Sequence, residues 1–270
     1  MLLVQMVYCV LGIYGVTQQP ETKEYMIVMQ YAKNGSLPTY LDQNINKLTW
    51  KRKLQYLDDI ALHLSIIHKG QLVHCDLHGE NIVLTDDKFD NDIQPVICDF
   101  GLSKSASSSP TTSSIQGVLP YIAPEVLYSR KFTQRSDIYS FGIIMHQIAN
   151  GEPPFRDWSS DDKCLAIRIR NGLRPEMPDS APEEYKKLAE RCCDADPNKR
   201  PKDGGELHDI IGELIKGIKD DGVWNTIYYN KNARPLSRIE KESKYSSRPL
   251  PTENLSIQRN SHDIDSAAQV

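Results

Sequence analysis

The sequence predicts an α+β fold in which a short β-hairpin precedes a mainly helical domain. Two β-rich runs, Val10–Thr17 and Tyr25–Tyr31, flank a polar turn containing Pro20, the pattern of an antiparallel hairpin with a longer loop. Between Thr49 and Lys69, Leu54, Leu57, Ala61, Leu64 and Ile67 recur at three- and four-residue steps, which is one face of a helix. Over Asp137–Ala149, Ile138, Phe141, Ile143, Ile144, Met145 and Ile148 surround the axis on most sides, as in a helix buried inside a domain.

The remaining elements follow in chain order. Met1–Val16 is mostly apolar, but it lacks the basic start and small-residue cleavage site of a signal peptide. Gln5, Gly12 and Gly15 interrupt it before it reaches the roughly 20 apolar residues of a membrane span, so it is expected to be a buried strand. Asn34-Gly35 ends the hairpin, and Ser36 is placed to cap a short helix over Leu37–Leu41. Thr49 is the expected N-cap of the long helix and Gly70 its stop. Asn81–Leu84 and Val96–Cys98 are too short for helices and are expected as small strands. Residues 103–114 hold nine Ser or Thr and little apolar matter, and are expected to form a mobile loop. Gly151-Glu-Pro-Pro154 ends the central helix, and further helices are expected at Glu183–Cys193 and Glu206–Ile218. From Lys219 the composition turns polar, which predicts a disordered tail tacked down at Trp224.

A length of 270 residues accommodates one large domain or two small ones, with 39% hydrophobic and 25% charged residues as in ordinary soluble proteins. A net charge of −4 points to neither a nucleic-acid-binding nor a membrane-coating surface, and a cytoplasmic protein is expected. The six cysteines (Cys9, Cys75, Cys98, Cys164, Cys192, Cys193) form no CxxC unit, so reduced thiols are expected rather than a disulfide framework or a structural zinc site.

The chemistry-bearing segment is His74-Cys75-Asp76-Leu77-His78-Gly79-Glu80-Asn81, between the long helix and a short strand, with Asp99-Phe100-Gly101 eighteen residues beyond Asn81. Asn81 and Asp99 offer the oxygen ligands that magnesium asks for when phosphates and water complete its shell. Asp76 is free to accept a proton from an incoming hydroxyl. A zinc site on His74, Cys75 and His78 is the duller alternative; no glutamate base follows His74 and no helix period surrounds the segment.

These residues resemble the protein kinases, and most of all the tyrosine-kinase-like group of Ser/Thr kinases. The pattern H-R-D-x-x-x-x-N is met at His74, Asp76 and Asn81, and D-F-G at Asp99–Gly101. Ala123-Pro124-Glu125 matches A-P-E, Ser136–Gly142 the buried central helix, and Asn198-Lys199-Arg200-Pro201 the late arginine motif. Five motifs in order over Val10–Ile218 are specific where one alone is weak.

The resemblance implies a protein-kinase-like fold: residues 1–34 as the last two strands of an N-lobe with the hinge, 35–218 as the helical C-lobe, and 219–270 as a tail. It implies signal-transducing transfer of the ATP γ-phosphate to Ser or Thr of a protein substrate, with ATP and Mg2+ as cofactors. Asp76 is the implied base, and Asn81 and Asp99 the implied magnesium ligands. Met29 stands at the gatekeeper position, Gln30 and Ala32 would meet adenine through their backbones, Val83 would floor the base, and Cys98 would line the pocket. Glu125 would pair with Arg200, and Asp137 would brace the catalytic-loop backbone.

Three departures bear on function. Cys75 stands where the family has an arginine that pairs with a phosphorylated loop residue; a neutral thiol cannot hold that charge, so activity is expected not to depend on this contact. His78 replaces the lysine two residues after the base, and Val118 a threonine linked to that base. His78 can still donate to a phosphate, and a Ser/Thr preference is expected. Finally, no G-x-G-x-x-G or V-A-I-K occurs among the 270 residues. A truncated N-lobe is therefore expected, with an open apolar edge on strand 25–31 as a site for a partner, and a pseudokinase scaffold is the alternative reading.

Overall fold

The computed structural model describes residues 11–86, 92–110, 114–158, 161–218, 222–228 and 244–250. The N-terminal element is an antiparallel hairpin, β1 (Ile13–Gln18) on β2 (Tyr25–Met29), with Gln18 opposite Tyr25 and a register shift between Ile13 and Gly15. Lys23, in the left-handed region at φ 62°, completes its turn. The expected burial of the first strand is not met: β1 and β2 are exposed along their whole length, with Tyr14 72% and Tyr25 78% accessible. A two-stranded ribbon has two faces, and among the described residues nothing covers either. Residues 1–10 lie outside the described residues.

The chain then enters the helical body. α1 (Leu37–Asn44) starts at Ser36, whose hydroxyl lies 3.1 Å from the Thr39 hydroxyl instead of capping a backbone amide. α2 (Trp50–Lys69) is capped by Thr49, which accepts from the Arg52 amide, and it stops at Gly70. Its apolar face lies against α7 (Gly204–Gly217). The central helix α4 (Gln134–Asn150) is buried on nearly every side. Ile138, Phe141, Ile143, Ile144, Met145 and Ile148 are fully inaccessible, at roughly 1.5–3 kcal/mol of transfer free energy each. A capping box between Thr133 and Ser136 starts α4, and Gly151 at φ 75° ends it. α6 (Glu183–Cys192) and α2 pack against it, while α3 (Pro124–Ser129) and α5 (Asp162–Arg170) pack against each other.

Three small antiparallel ladders place the loops. β4 (Ile82–Asp86) pairs with β5 (Ile93–Ile97), and Leu84 donates its amide to Gly35, which ties that ladder to the hinge. β3 (Leu72–Val73) pairs with β6 (Lys104–Ser105). β7 (Gln116–Gly117) pairs with β8 (Arg248–Pro249). Two expectations are corrected here. The Ser-rich stretch is not wholly loose, because β6 is held by main-chain bonds that need no apolar side chain; 111–113 lie outside the described residues. In the polar tail, 222–228 packs near the start of α2, with Trp50 donating its amide to Thr226, and 244–250 is seated with Tyr245 and Leu250 buried. Trp224 does pack against the core. Composition averages over the tail and misses these few anchors.

Candidate active site

The catalytic-loop candidate lies between β3 and β4, and its backbone is held from below by α4. Asp137, 1% exposed, accepts from the His74 amide at 2.7 Å through Oδ2 and from the Cys75 amide at 3.1 Å through Oδ1. His68 fixes that carboxylate in turn: Nε2 lies 3.0 Å from Oδ2, while Nδ1 accepts from the Gly204 amide at 2.9 Å. The bracing of this loop by Asp137 is therefore geometric fact. His68 was missed in the sequence, where it is one more polar residue in the last turn of a helix.

His74 is fully buried. Its Nε2 lies 3.2 Å from the Cys98 carbonyl and its Nδ1 accepts the Asp76 amide at 3.3 Å. Burial holds its pKa below the ordinary imidazole value, so the ring is neutral, with Nε2 as donor and Nδ1 as acceptor. It thereby ties the loop to the strand end that carries Asp99, and its ring packs on Phe100 at 5.2 Å.

Asp76 is 6% exposed, and its Oδ1 has no hydrogen-bond partner among the described residues. Oδ2 lies 3.6 Å from His78 Nε2 and 3.4 Å from Asn81 Nδ2, which also donates to the Asp76 carbonyl at 2.9 Å. The structure thus brings Asp76, His78 and Asn81 together. His78 is buried beside Tyr121, with ring centroids 5.9 Å apart. Gln147, not singled out in the sequence, accepts from the Tyr121 hydroxyl at 2.8 Å and leaves no room for a side chain at Gly79.

Asp99 stands exposed next to Cys98, whose amide and thiol both bond the Asn81 carbonyl, at 2.9 and 3.4 Å. Asn81 and Asp99 are therefore neighbours across two strand ends, and Asp99 Oδ1 accepts from the Gly101 amide at 3.1 Å. Cys75 and Asp99 both sit in the left-handed region, at φ 69° and 59°. Each costs about 1–3 kcal/mol in a non-glycine residue, and the two mark the two ends of this site. Cys75 is buried with its thiol pushed up to about 12 by desolvation, so it is a neutral packing group facing β6. The Cys98 thiol is likewise raised, to about 11, by burial and by Asp99.

The hinge candidates lie above this cluster. Gln30 donates its amide to Gly12 at 2.7 Å, and the Ala32 carbonyl accepts from Gly35 at 3.2 Å. Val83, half-buried, bridges to Ser36 directly below the hinge, and Met29 is 45% exposed on the hairpin. Away from the site, Arg200 meets Glu125 through two bonds of 2.8 Å each, as expected of that pair.

Residues 4–208 match the family model described as protein tyrosine and serine/threonine kinase. The chain is a member of that kinase family. Among curated relatives it is similar to an L-type lectin-domain containing receptor kinase S.1 of Arabidopsis thaliana, 30% identical over 220 residues, covering 73% of this chain and 32% of that protein. It is also similar to the stress-activated protein kinase alpha of Dictyostelium discoideum, 30% identical over 86% of this chain and 36% of the relative. Ephrin type-B receptor 1 of Gallus gallus is 32% identical over 77% of this chain and 21% of the receptor. The chain therefore spans about a third or less of most of these kinases. Some of them are named as receptors; among the described residues of this chain, no helix is long and apolar enough to cross a membrane.

Proposed function

We propose that this kinase chain transfers the γ-phosphoryl group of ATP to a serine or threonine hydroxyl of a protein substrate. The observation that carries the reading is Asp76 Oδ1, a carboxylate oxygen that is buried yet without a hydrogen-bond donor among the described residues. Such a buried acceptor costs free energy unless a donor arrives, and a substrate hydroxyl is the donor that fits. Asn81 bonds the other oxygen of the same carboxylate, with the His78 ring 3.6 Å from it, and so fixes the direction of the first.

The donor set suits a magnesium–nucleotide complex, because the Asn81 amide and the Asp99 carboxylate are hard oxygen ligands at adjacent strand ends. When bound, Mg-ATP supplies the phosphoryl group and neutralises the charge that develops on it. Asn81 is oriented by its Nδ2 bonds to Asp76, which leaves its Oδ1 as the atom that would meet a metal. Base contacts at the hinge fall to the Gln30 carbonyl and the Ala32 amide, since the opposite groups are already engaged. Val83 and Cys98 line the site below, and the neutral His74 keeps the loop and the Asp99 strand end in register. The Ser/Thr preference rests on the absence of the tyrosine-kinase A-A-R variant after the base, where this chain has His78-Gly79-Glu80; His78 itself departs from the Ser/Thr lysine.

The competing reading is a kinase-like binding module without transfer, and it draws on the lack of a glycine-rich loop and a strand lysine among these 270 residues. One assay decides. Transfer of labelled phosphate from Mg-ATP is measured for this chain and for a form extended by a glycine-rich loop and lysine strand, each with Asp76→Asn as control. The expected result is transfer that falls by about 10²–10⁴ in Asp76→Asn. Equal rates with and without the Asp76 carboxylate would refute the transfer reading, and a thermal shift with Mg-ATP reads nucleotide binding separately.

A further inference from the structure

The site already described does not account for 244–250, a stretch of the polar tail laid against its rim. We propose that Lys244–Leu250 is an internal segment whose strand β8 occupies the edge on which a peptide substrate would dock beside Asp76, and that an incoming peptide must displace it. The term substrate rests on the kinase reading above; the docking itself does not.

The placement is specific. β8 lies antiparallel on β7, with Gly117 opposite Arg248 and Gln116 opposite Pro249, and Leu250 donates its amide to Ile115 at 2.8 Å. A Cβ built on Gly117 would come 3.4 Å from Asp76 Oδ1, the oxygen assigned to the incoming hydroxyl. The inserted strand is therefore one ladder spacing, about 4.8 Å, from a residue in contact with the base.

Side chains anchor it at several points. Tyr245 is 4% exposed, donates its hydroxyl to the Pro154 carbonyl at 3.1 Å, and shares a small cavity with His78, Gly79 and Tyr121. Arg248 meets Asp162 at the start of α5 at 2.9 Å. Lys244 Nζ donates to the carbonyls of Arg156 and Trp158 at 3.0 Å each. Leu250 is buried. Pro249 has no amide hydrogen, which keeps the ladder short, so the strand is held mostly by side chains and is exchangeable. A competing peptide needs the same chemistry: an aromatic residue at a bend, a basic residue three positions later where the backbone turns extended, and an apolar residue two beyond that.

The test uses the full chain and a fluorescein-labelled synthetic peptide of sequence KYSSRPL, with binding read by anisotropy. A tethered occupant acts at an effective concentration of about millimolar, so the unmodified chain should bind the free peptide poorly. Arg248→Glu, which reverses one anchor on a partly exposed side chain, should raise peptide affinity by about tenfold or more. Hydrogen exchange on the same samples should lose protection at 115–117 in Arg248→Glu and regain it when peptide is added, with α4 unchanged as the folding control. Equal peptide binding by both proteins, or no binding by Arg248→Glu, overturns the proposal. Tenfold tighter peptide binding without phosphoryl transfer in either protein leaves the internal strand standing and rejects the kinase activity instead.

Discussion

Individual buried polar residues carry much of the behaviour of this molecule. The catalytic-loop candidate rests on Asp137 accepting two main-chain amides, with His68 holding the acceptor. Such a brace acts on the backbone, so a cysteine at position 75 leaves it intact although the side chain differs from the family pattern. Two other histidines set a pH response. His63 and His146 are buried, and desolvation lowers each to about 4 from 6.5. Folding holds both neutral, whereas the unfolded chain takes up protons below about 6.5. Their contribution is complete above that value and is lost as pH falls towards 4, by about 1.4 kcal/mol per pH unit for each ring. Urea midpoints should therefore fall between pH 7 and 4.5. His63→Leu should make that decline shallower, because the His63 Nδ1 has no hydrogen-bond partner among the described residues to lose. An unchanged pH slope in His63→Leu would assign the acid sensitivity elsewhere.

At the level of elements, the α2–α7 crossing depends on one glycine. A Cβ on Gly204 would stand 2.4 Å from the Ser65 amide nitrogen and 2.6 Å from the Leu64 carbonyl carbon. Both are backbone atoms inside a helix and cannot yield. Gly204→Ala should cost about 1–3 kcal/mol or more by urea denaturation. Gly212→Ala, in the same helix with nothing within 4 Å, should instead stabilise by about 0.5–1 kcal/mol. Equal effects at the two sites would show that the crossing is looser than this geometry. The helices were the legible part of the sequence. The 3.6-residue period marked α2, the all-round apolar pattern marked α4, and Thr49 and Gly70 marked the ends of α2. The hairpin was legible as strands but not in its exposure, because alternation reports pairing while burial depends on what lies opposite. Asp76, Asn81 and Asp99 were legible as a motif. His68, Gln147 and Tyr245 were not, since their roles arise from contacts across 26 residues or more.

For the whole molecule, long-range polar ties join parts that sequence separates. Arg200 is fully buried and binds Glu125, 75 positions away, while donating also to the carbonyls of Arg135 and Asp194. Four segments thus meet at one guanidinium. Glu125→Gln removes the only carboxylate in this set and leaves a buried cation, which should cost about 3–5 kcal/mol in the free energy of unfolding by urea. A loss below about 1 kcal/mol would mean that the neutral acceptors suffice. The pairing of β7 with β8 is a tie of the same long-range kind, with a different consequence. Both strands belong to one polypeptide, so their association has a stoichiometry fixed at one to one. Diluting the protein a thousandfold leaves it unchanged, whereas a competitor added in solution can tip it.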